Sequence, residues 1–336
     1  MISLLERMRY ILGALALCAV VVLAVPIHAQ TPAAPVDPDR SVVNEKTLLQ
    51  EFPRIEGQIV IPNDTAAVLI QPAGRSWQYF HEVLLQWIGV IAILGMIALL
   101  VIFYLLVGPL RISAGRSGIR VFRYTPFERF CHWLNAASFV VLALTGLNIT
   151  FGKHLLLPVI GPDAFTTVSE ATKYVHNFAG FSFVVGFVLV MAIWIKDNIP
   201  NKVDLIWLKE GGGFIPSKHP TSGRFNAGEK MVYWLALAAG ILVSVTGFLL
   251  LFPFYVTNIA GMQIAQVVHS VIAVLFIALI LGHIYIGTLG MQGAFEGMET
   301  GYVDLNWAKE HHGLWLKEEA AKGHVPDLPP SARPAE

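Results

Sequence analysis

The chain has 336 residues, 55% of them hydrophobic and only 14% charged, with a mean hydropathy of +0.61. Soluble domains carry roughly 25% charged residues, so the composition excludes an ordinary soluble enzyme and a disordered chain alike, and reads as an integral membrane protein. Lys plus Arg and Asp plus Glu balance at 23 each, which leaves no electrostatic footprint for nucleic acid. The two cysteines, Cys18 and Cys131, are too few for a disulfide framework or a Cys-ligated iron–sulfur cluster.

Residues 1–29 read as a secretory signal. Arg7 and Arg9 form a basic start, residues 11–25 an uncharged apolar run, and Ala29 a small residue before the cut. Ile27 is bulkier than such a cleavage site ordinarily takes, so a retained anchor stands beside cleavage as a reading. Residues 30–80 are polar and proline-rich, with a short strand and turn expected at 56–64. This segment is too short to bury much of a core by itself.

Five apolar runs follow, at 84–106, 131–152, 175–195, 231–251 and 263–290. A bilayer core of about 30 Å needs roughly 20 apolar residues in a helix, and each run is long enough. Loop charges orient them. Arg111, Arg116, Arg120, Arg123 and Arg129 lie between the first and second runs. Lys196, Lys202, Lys209, Lys218, Arg224 and Lys230 lie between the third and fourth. Lys309, Lys317, Lys322 and Arg333 follow the last, while the two remaining connections hold only Lys153 and Lys173. The positive-inside rule then puts the three basic segments in the cytoplasm and the mature N-terminus outside, in agreement with the signal.

Apart from the Cys131 thiol and the Tyr285 phenol, every ionisable group inside the second, third and fifth runs is a histidine: His132, His176, His269 and His283. An intramembrane ionisable residue is a functional candidate by default. His269 and His283 are 14 residues apart. At about 100° and 1.5 Å per residue that is within roughly 40° of whole turns and about 21 Å along the axis, so both lie on one face. His176, which opens the third run, is level with His269 on the outer side. His132, which opens the second, is level with His283 on the inner side. Two pairs, each bridging two helices, suit two b-type haems with bis-histidine ligation. No Cys-x-x-Cys-His motif is present for covalent attachment. Gly180 and Gly287 lie four residues after His176 and His283. They either admit a flat macrocycle or serve close helix packing. The remaining histidines, His28, His81, His154, His219, His311, His312 and His324, fall at interfaces, in loops or in the tail. A solvated or interfacial role is expected for all seven.

Several motifs resemble the gamma subunit, a cytochrome b556, of respiratory membrane-bound formate dehydrogenase. They are Phe130-Cys131-His132-Trp133, Val175-His176-Asn177-Phe178-Ala179-Gly180, Asn198-Ile199-Pro200 and Phe225-Asn226-Ala227-Gly228-Glu229-Lys230. His269 with His283, Gly297-Met298 and Trp307-Ala308-Lys309-Glu310-His311-His312 complete the set. The resemblance covers about residues 120–318. It implies an all-α membrane protein: a four-helix dihaem cytochrome b bundle at 120–295 and a cytoplasmic tail at 296–336. One additional transmembrane helix at 81–110 precedes the bundle. It further implies a place in the bacterial inner membrane in anaerobic respiration, with two partners: an iron–sulfur beta subunit and a formate-oxidising alpha subunit that holds molybdenum or tungsten. Electrons would pass from the outer haem (His176, His269) to the inner haem (His132, His283). They would then reduce menaquinone or ubiquinone at a pocket of Asn226, Ala227, Gly228 and Glu229 close to His283. The best-known members have Gln where this chain has Glu229, so that position could take up protons, or simply cap the helix whose N-terminus it occupies. The chain itself carries no motif for formate oxidation. Cytochrome b subunits of nickel–iron hydrogenase or of other molybdoenzymes share the four-helix plan and stand as alternatives. A haem-free membrane anchor, with the histidines as packing residues, is the alternative of another class.

Overall fold

The computed structural model describes residues 73–213 and 220–325; the signal, the strand expected at 56–64, His28 and His219 lie outside the described residues. In chain order the elements are α1 Gly74–Leu106, β1 Arg120–Phe122, α2 Pro126–Leu155, α3 Leu157–Ile160, α4 Pro162–Trp194 and α5 Lys202–Lys209. There follow α6 Ala227–Leu251, α7 Ile259–Gly290, α8 Ala294–Thr300, β2 Tyr302–Asp304, α9 Leu305–His311 and α10 Gly313–Ala321. Among the described residues five helices are long and apolar enough to cross a membrane: α1, α2, α4, α6 and α7. The protein is an all-α, multi-pass membrane protein. Apolar side chains such as Leu106, Val159 and Phe178 point outward, where lipid takes the place of water.

The helices outrun the apolar runs because they continue into polar sequence at their ends. The largest extension is in α4, which starts at Pro162 with Pro at the first helical position, where its missing N–H costs nothing. His176 therefore lies well inside its helix rather than at the start. α2 packs along α4, α6 along α7, and α4 meets α6, which closes a four-helix bundle. Gly186 lets α4 approach α2, since a Cβ there would come 2.8 Å from the Asn135 backbone nitrogen. Gly240 of α6 accepts the Phe187 ring in the same way. α1 lies outside the bundle, chiefly along α7.

One end of the bundle is polar and carries a small folded layer. β1 pairs antiparallel with β2, Val121 opposite Val303, so the segment before α2 and the segment after α7 are joined. Ile112, Val121, Val303, Leu305, Trp307, Ala308, Trp315 and Leu316 form a second core there. The segment after the last span is therefore folded back by its apolar residues at 303–316, not an extension into solvent.

Three capping boxes start helices at this end: Thr125 with Glu128, Asn201 with Asp204, and Asn226 with Glu229. In each, the carboxylate three residues on also accepts from the cap's own N–H. Glu128 does more. Its Oε1 accepts from Trp194 Nε1 at 2.8 Å and from Arg224 Nη2 at 2.6 Å, and Arg224 Nη1 reaches Asp197 Oδ2 at 2.8 Å. One carboxylate thus joins α2, the end of α4 and the approach to α6. Breaking a buried ion pair by removing one partner costs about 3–5 kcal/mol. Glu128→Ala should therefore destabilise the detergent-solubilised protein by about 3 kcal/mol in chemical unfolding. The Glu128→Ala/Arg224→Ala double variant should lose clearly less than the sum of the single losses.

Candidate functional site

The two histidine pairs meet across facing helices. His132 of α2 and His283 of α7 have ring centres 6.4 Å apart, and His176 of α4 and His269 of α7 have theirs 6.3 Å apart. The rings read from the sequence as sharing a level are thus neighbours. The first pair lies towards the polar end, His132 one helical turn beyond Glu128 and 6.4 Å from the Trp194 ring. The second lies further along the bundle. A metal held between two imidazole nitrogens at the usual bond length of about 2 Å puts the ring centres roughly 6–7 Å apart, so both spacings fit an axially ligated ion. Two imidazoles alone make a poor site for a bare ion. Among the described residues no group of three or more His, Cys, Asp or Glu is placed to hold one. The fitting occupant is a metal that brings an equatorial ring of its own, as haem does.

The surroundings of the rings agree with that fit. Gly146 and Gly247 lie against the His176 and His269 rings; a Cβ on either would come 3.3 Å from the imidazole Cε1. A Cβ at Gly180 or Gly287 would meet nothing within 4 Å, so neither glycine serves close helix packing. Thr145 Oγ1 stands 2.9 Å from His176 Nδ1, and Thr246 Oγ1 stands 3.0 Å from His269 Nδ1. Sequence reading missed both threonines. A signal was present: Thr-Gly recurs at 145–146 and 246–247, each after an apolar stretch of helix.

The four residues assigned by resemblance to a quinone pocket form the first turn of α6 and its cap. Asn226 Oδ1 accepts from Glu229 N at 3.0 Å, and Glu229 Oε2 accepts from Asn226 N at 2.7 Å. Ala227 is buried. A Cβ at Gly228 would come 3.2 Å from the Trp207 ring, so α5 supplies an indole over this glycine. Glu229 remains 37% exposed at its side chain. Its Oε1 is 3.8 Å from Arg123 Nη2 and its Oε2 is 3.9 Å from His312 Nε2. The contacts of this turn therefore run to Trp207, Arg123 and His312. Lys230 is buried on Asp204 at 2.9 Å and on the Ile199 carbonyl, which gives the Asn198-Ile199-Pro200 element a structural task.

His312 is only 1% exposed, which corrects the expectation of a solvated histidine. The second core draws it in against the Trp307 ring, 4.9 Å away. Its Nδ1 donates to the Gly223 carbonyl at 2.9 Å, and its Nε2 accepts from Arg123 Nη2 at 3.2 Å. Arg123 is buried too, stacked on Tyr124, Trp307 and Trp315, and its Nη1 has no hydrogen-bond partner among the described residues. Burial, and after it the Arg123 charge, hold the His312 pKa well below 6.5. A base whose folded pKa is depressed contributes its full stability above its unfolded pKa and loses it as the pH falls. Acidification from above to below about pH 6.5 should therefore loosen residues 305–321. Hydrogen exchange of α9 and α10 at pH 7.5 and 5.5 checks this, and His312→Gln should flatten the dependence.

A bundle of four apolar helices with histidines paired across it at two levels is the architecture of a membrane cytochrome b. The prokaryotic cytochrome b561 family matches residues 123–301, more than half of the chain, and the chain belongs to that family. It is similar to the cytochrome b556(fdo) subunit of formate dehydrogenase of Escherichia coli strain K12, 29% identical over 202 residues, 59% of this chain and 92% of that protein. It is also similar to the cytochrome b556(Fdn) subunit of nitrate-inducible formate dehydrogenase from the same strain, 28% identical over 197 residues, 57% of this chain and 88% of that protein. The formate dehydrogenase cytochrome b556 subunit of Haemophilus influenzae is 28% identical over 218 residues, 62% of this chain and 87% of that protein.

Proposed function

We propose that the chain is the membrane cytochrome b556 subunit of a formate dehydrogenase in the bacterial inner membrane. It would carry electrons from a periplasmic iron–sulfur partner, through two b haems, to quinone near the cytoplasmic side. The observation that carries the reading is the pair of imidazole couples, ring centres 6.4 and 6.3 Å apart. They occur in a chain whose similarity to formate dehydrogenase cytochrome b556 subunits spans 92% and 88% of those proteins. The loop charges put the polar end in the cytoplasm. His132 and His283 would then hold the inner haem, and His176 and His269 the outer haem. Bound haem supplies one-electron transfer across the lipid.

The protein's own groups do the rest. The α2–α4 and α6–α7 packing holds each ligand ring at its level, and the glycines beside them leave room for a flat group. At the cytoplasmic end the first turn of α6, Asn226 to Glu229, is the proposed quinone site, for menaquinone or ubiquinone. Quinone reduction consumes protons as well as electrons. Glu229 stands where a carboxylate meets water yet faces Arg123 and His312, and there it can pass a proton inward. Arg123 Nη1, with no hydrogen-bond partner among the described residues, is a spare donor for a quinone oxygen. Formate oxidation belongs to a separate molybdenum- or tungsten-containing subunit, since this sequence carries no site for it.

The test is purification with the partner subunits and a haem count. Two b haems per chain should be found, extractable by acidic acetone because they are not covalently attached. His176→Ala or His269→Ala should deplete one haem, and His132→Ala or His283→Ala the other. Depletion of the same haem by His132→Ala and His269→Ala would overturn the pairing.

Glu229→Gln isolates the proton step, because Gln still closes the capping box and so spares the helix start. Both haems should remain bound and reducible by formate. Their reoxidation by added quinone should slow by about 10²-fold, the lower range for loss of a general acid–base group. Rapid-mixing spectroscopy of the haem bands separates the two phases. Unchanged reoxidation would move the quinone away from α6.

A further inference from the structure

We propose that Thr145 and Thr246 hold the outer haem at a lower reduction potential than the inner one, so that the electron step across the membrane runs downhill. The inference rests on the assignment of His176 and His269 as the outer ligands and adds a cause for direction.

A hydroxyl has one proton to give and lone pairs to receive with. Thr145 Oγ1 lies 2.7 Å from the Val141 carbonyl, and Thr246 Oγ1 lies 2.6 Å from the Leu242 carbonyl. Both carbonyls belong to the preceding turn of the same helix and can only accept. Each hydroxyl proton is thereby committed to the backbone. The oxygen then faces its histidine as an acceptor, at 2.9 Å for His176 Nδ1 and 3.0 Å for His269 Nδ1. Nδ1 must carry the ring proton, which leaves the Nε2 lone pair free to bind metal. A ligand imidazole that donates its other N–H in this way is a stronger base towards its metal. Stronger donation favours the oxidised, more positive iron, and second-shell hydrogen bonding of this kind is one of the protein's means of setting haem potential.

Both rings of the outer pair receive this bond. In the inner pair, His132 Nδ1 is buried with no hydrogen-bond partner among the described residues. The push is therefore unequal, and its sign puts the outer potential below the inner one. One electron leaving the outer haem, which is oxidised, and arriving at the inner haem, which is reduced, then moves towards the quinone end. Back-bonding of threonine to its own helix is common and by itself would mean little. Here it occurs twice, on α2 and on α6, and each hydroxyl meets one of the two rings of a single pair. The glycine after each threonine lets the ring lie close, with 3.3 Å from its would-be Cβ to the imidazole in both cases.

Potentiometric titration of the haem α-bands in the assembled complex tests the idea, with His176→Ala marking which component is the outer haem. T145V/T246V should raise the outer potential and leave the inner one in place, with the single variants between. T145S/T246S, which keeps the oxygens, should stay at the wild-type value. The ferric electron paramagnetic resonance signal of the outer haem should shift in the valine variants alone. Should the double valine variant lose the outer haem, the single and serine variants decide. A single valine variant at the wild-type potential, or serine variants shifted as far as valine ones, overturns the inference, as does an unmoved outer potential in T145V/T246V. Absence of haem at this pair in the wild-type complex would instead be a failure of the proposed function.

Discussion

The Glu128 carboxylate is the fixed point on which the geometry of the bundle depends. Helices inside a bilayer gain little from one another by hydrophobic burial, because lipid is as apolar as a leucine side chain. Close packing and polar contacts must set how far one helix slides along the next. Glu128 closes the cap of α2, accepts from Trp194 at the end of α4 and binds Arg224 ahead of α6. Those bonds set the register of α2 against α4 at the polar end. His132 follows one turn later on the same helix, and His176 is carried on α4. Once that register is set, the 14-residue interval between His269 and His283 on α7 meets both of them.

The same economy runs through the polar end. Asp204 caps α5 and neutralises the buried Lys230. Glu229 caps α6 and is the carboxylate facing Arg123 and His312. A carboxylate at a helix N-terminus is favoured by the helix dipole and still keeps lone pairs for a second partner. Each helix start is thus also a tie to a neighbouring segment. The result is a tied polar end next to the His132–His283 pair, with Glu229 its partly exposed member. At the other pair the polar contacts shrink to two hydroxyls and two imidazoles. The two levels of the bundle therefore offer a bound group different chemical surroundings, although their ring spacings are nearly equal.

The spans were legible in the sequence because the hydrocarbon core demands about 20 apolar residues in a row. The histidines stood out because almost nothing else ionisable enters those runs. Their neighbours across the bundle followed from helix geometry together with the orientation that the loop charges give the spans. What was not legible came from context. The start of α4 at Pro162 lies in polar sequence, where hydropathy says nothing and proline at the first helical position marks the start. His312 looked like a tail residue because its burial rests on Arg123 and Trp307, and the pairing of β1 with β2 brings these together across about 180 residues of chain. Thr145 and Thr246 look like ordinary helix residues until the imidazole from the next helix is placed beside each. The assignment of Asn226 to Glu229 came from resemblance. The structure adds that this turn is a capping box under an indole.

The additional helix α1 takes its meaning from the helix it touches. α7 carries one histidine of each pair, so a displacement of α7 moves both levels together. α6 holds α7 on the bundle side. α1 lies along it from outside the bundle: Phe103 packs edge-on against Tyr285 at 6.2 Å, and Met96 Sδ lies 3.9 Å from a would-be Cβ on Gly282. Those two contacts flank His283 in the chain. At its other end α1 is tied to α2, where Gln86 Nε2 donates to the Thr150 carbonyl at 3.0 Å and Gly89 receives the Phe151 ring. The family match begins at residue 123, after α1 ends, so the paired-histidine core is defined without this helix. α1 is then best understood as a brace. It replaces mobile lipid by fixed side chains on the helix whose position both histidine pairs share.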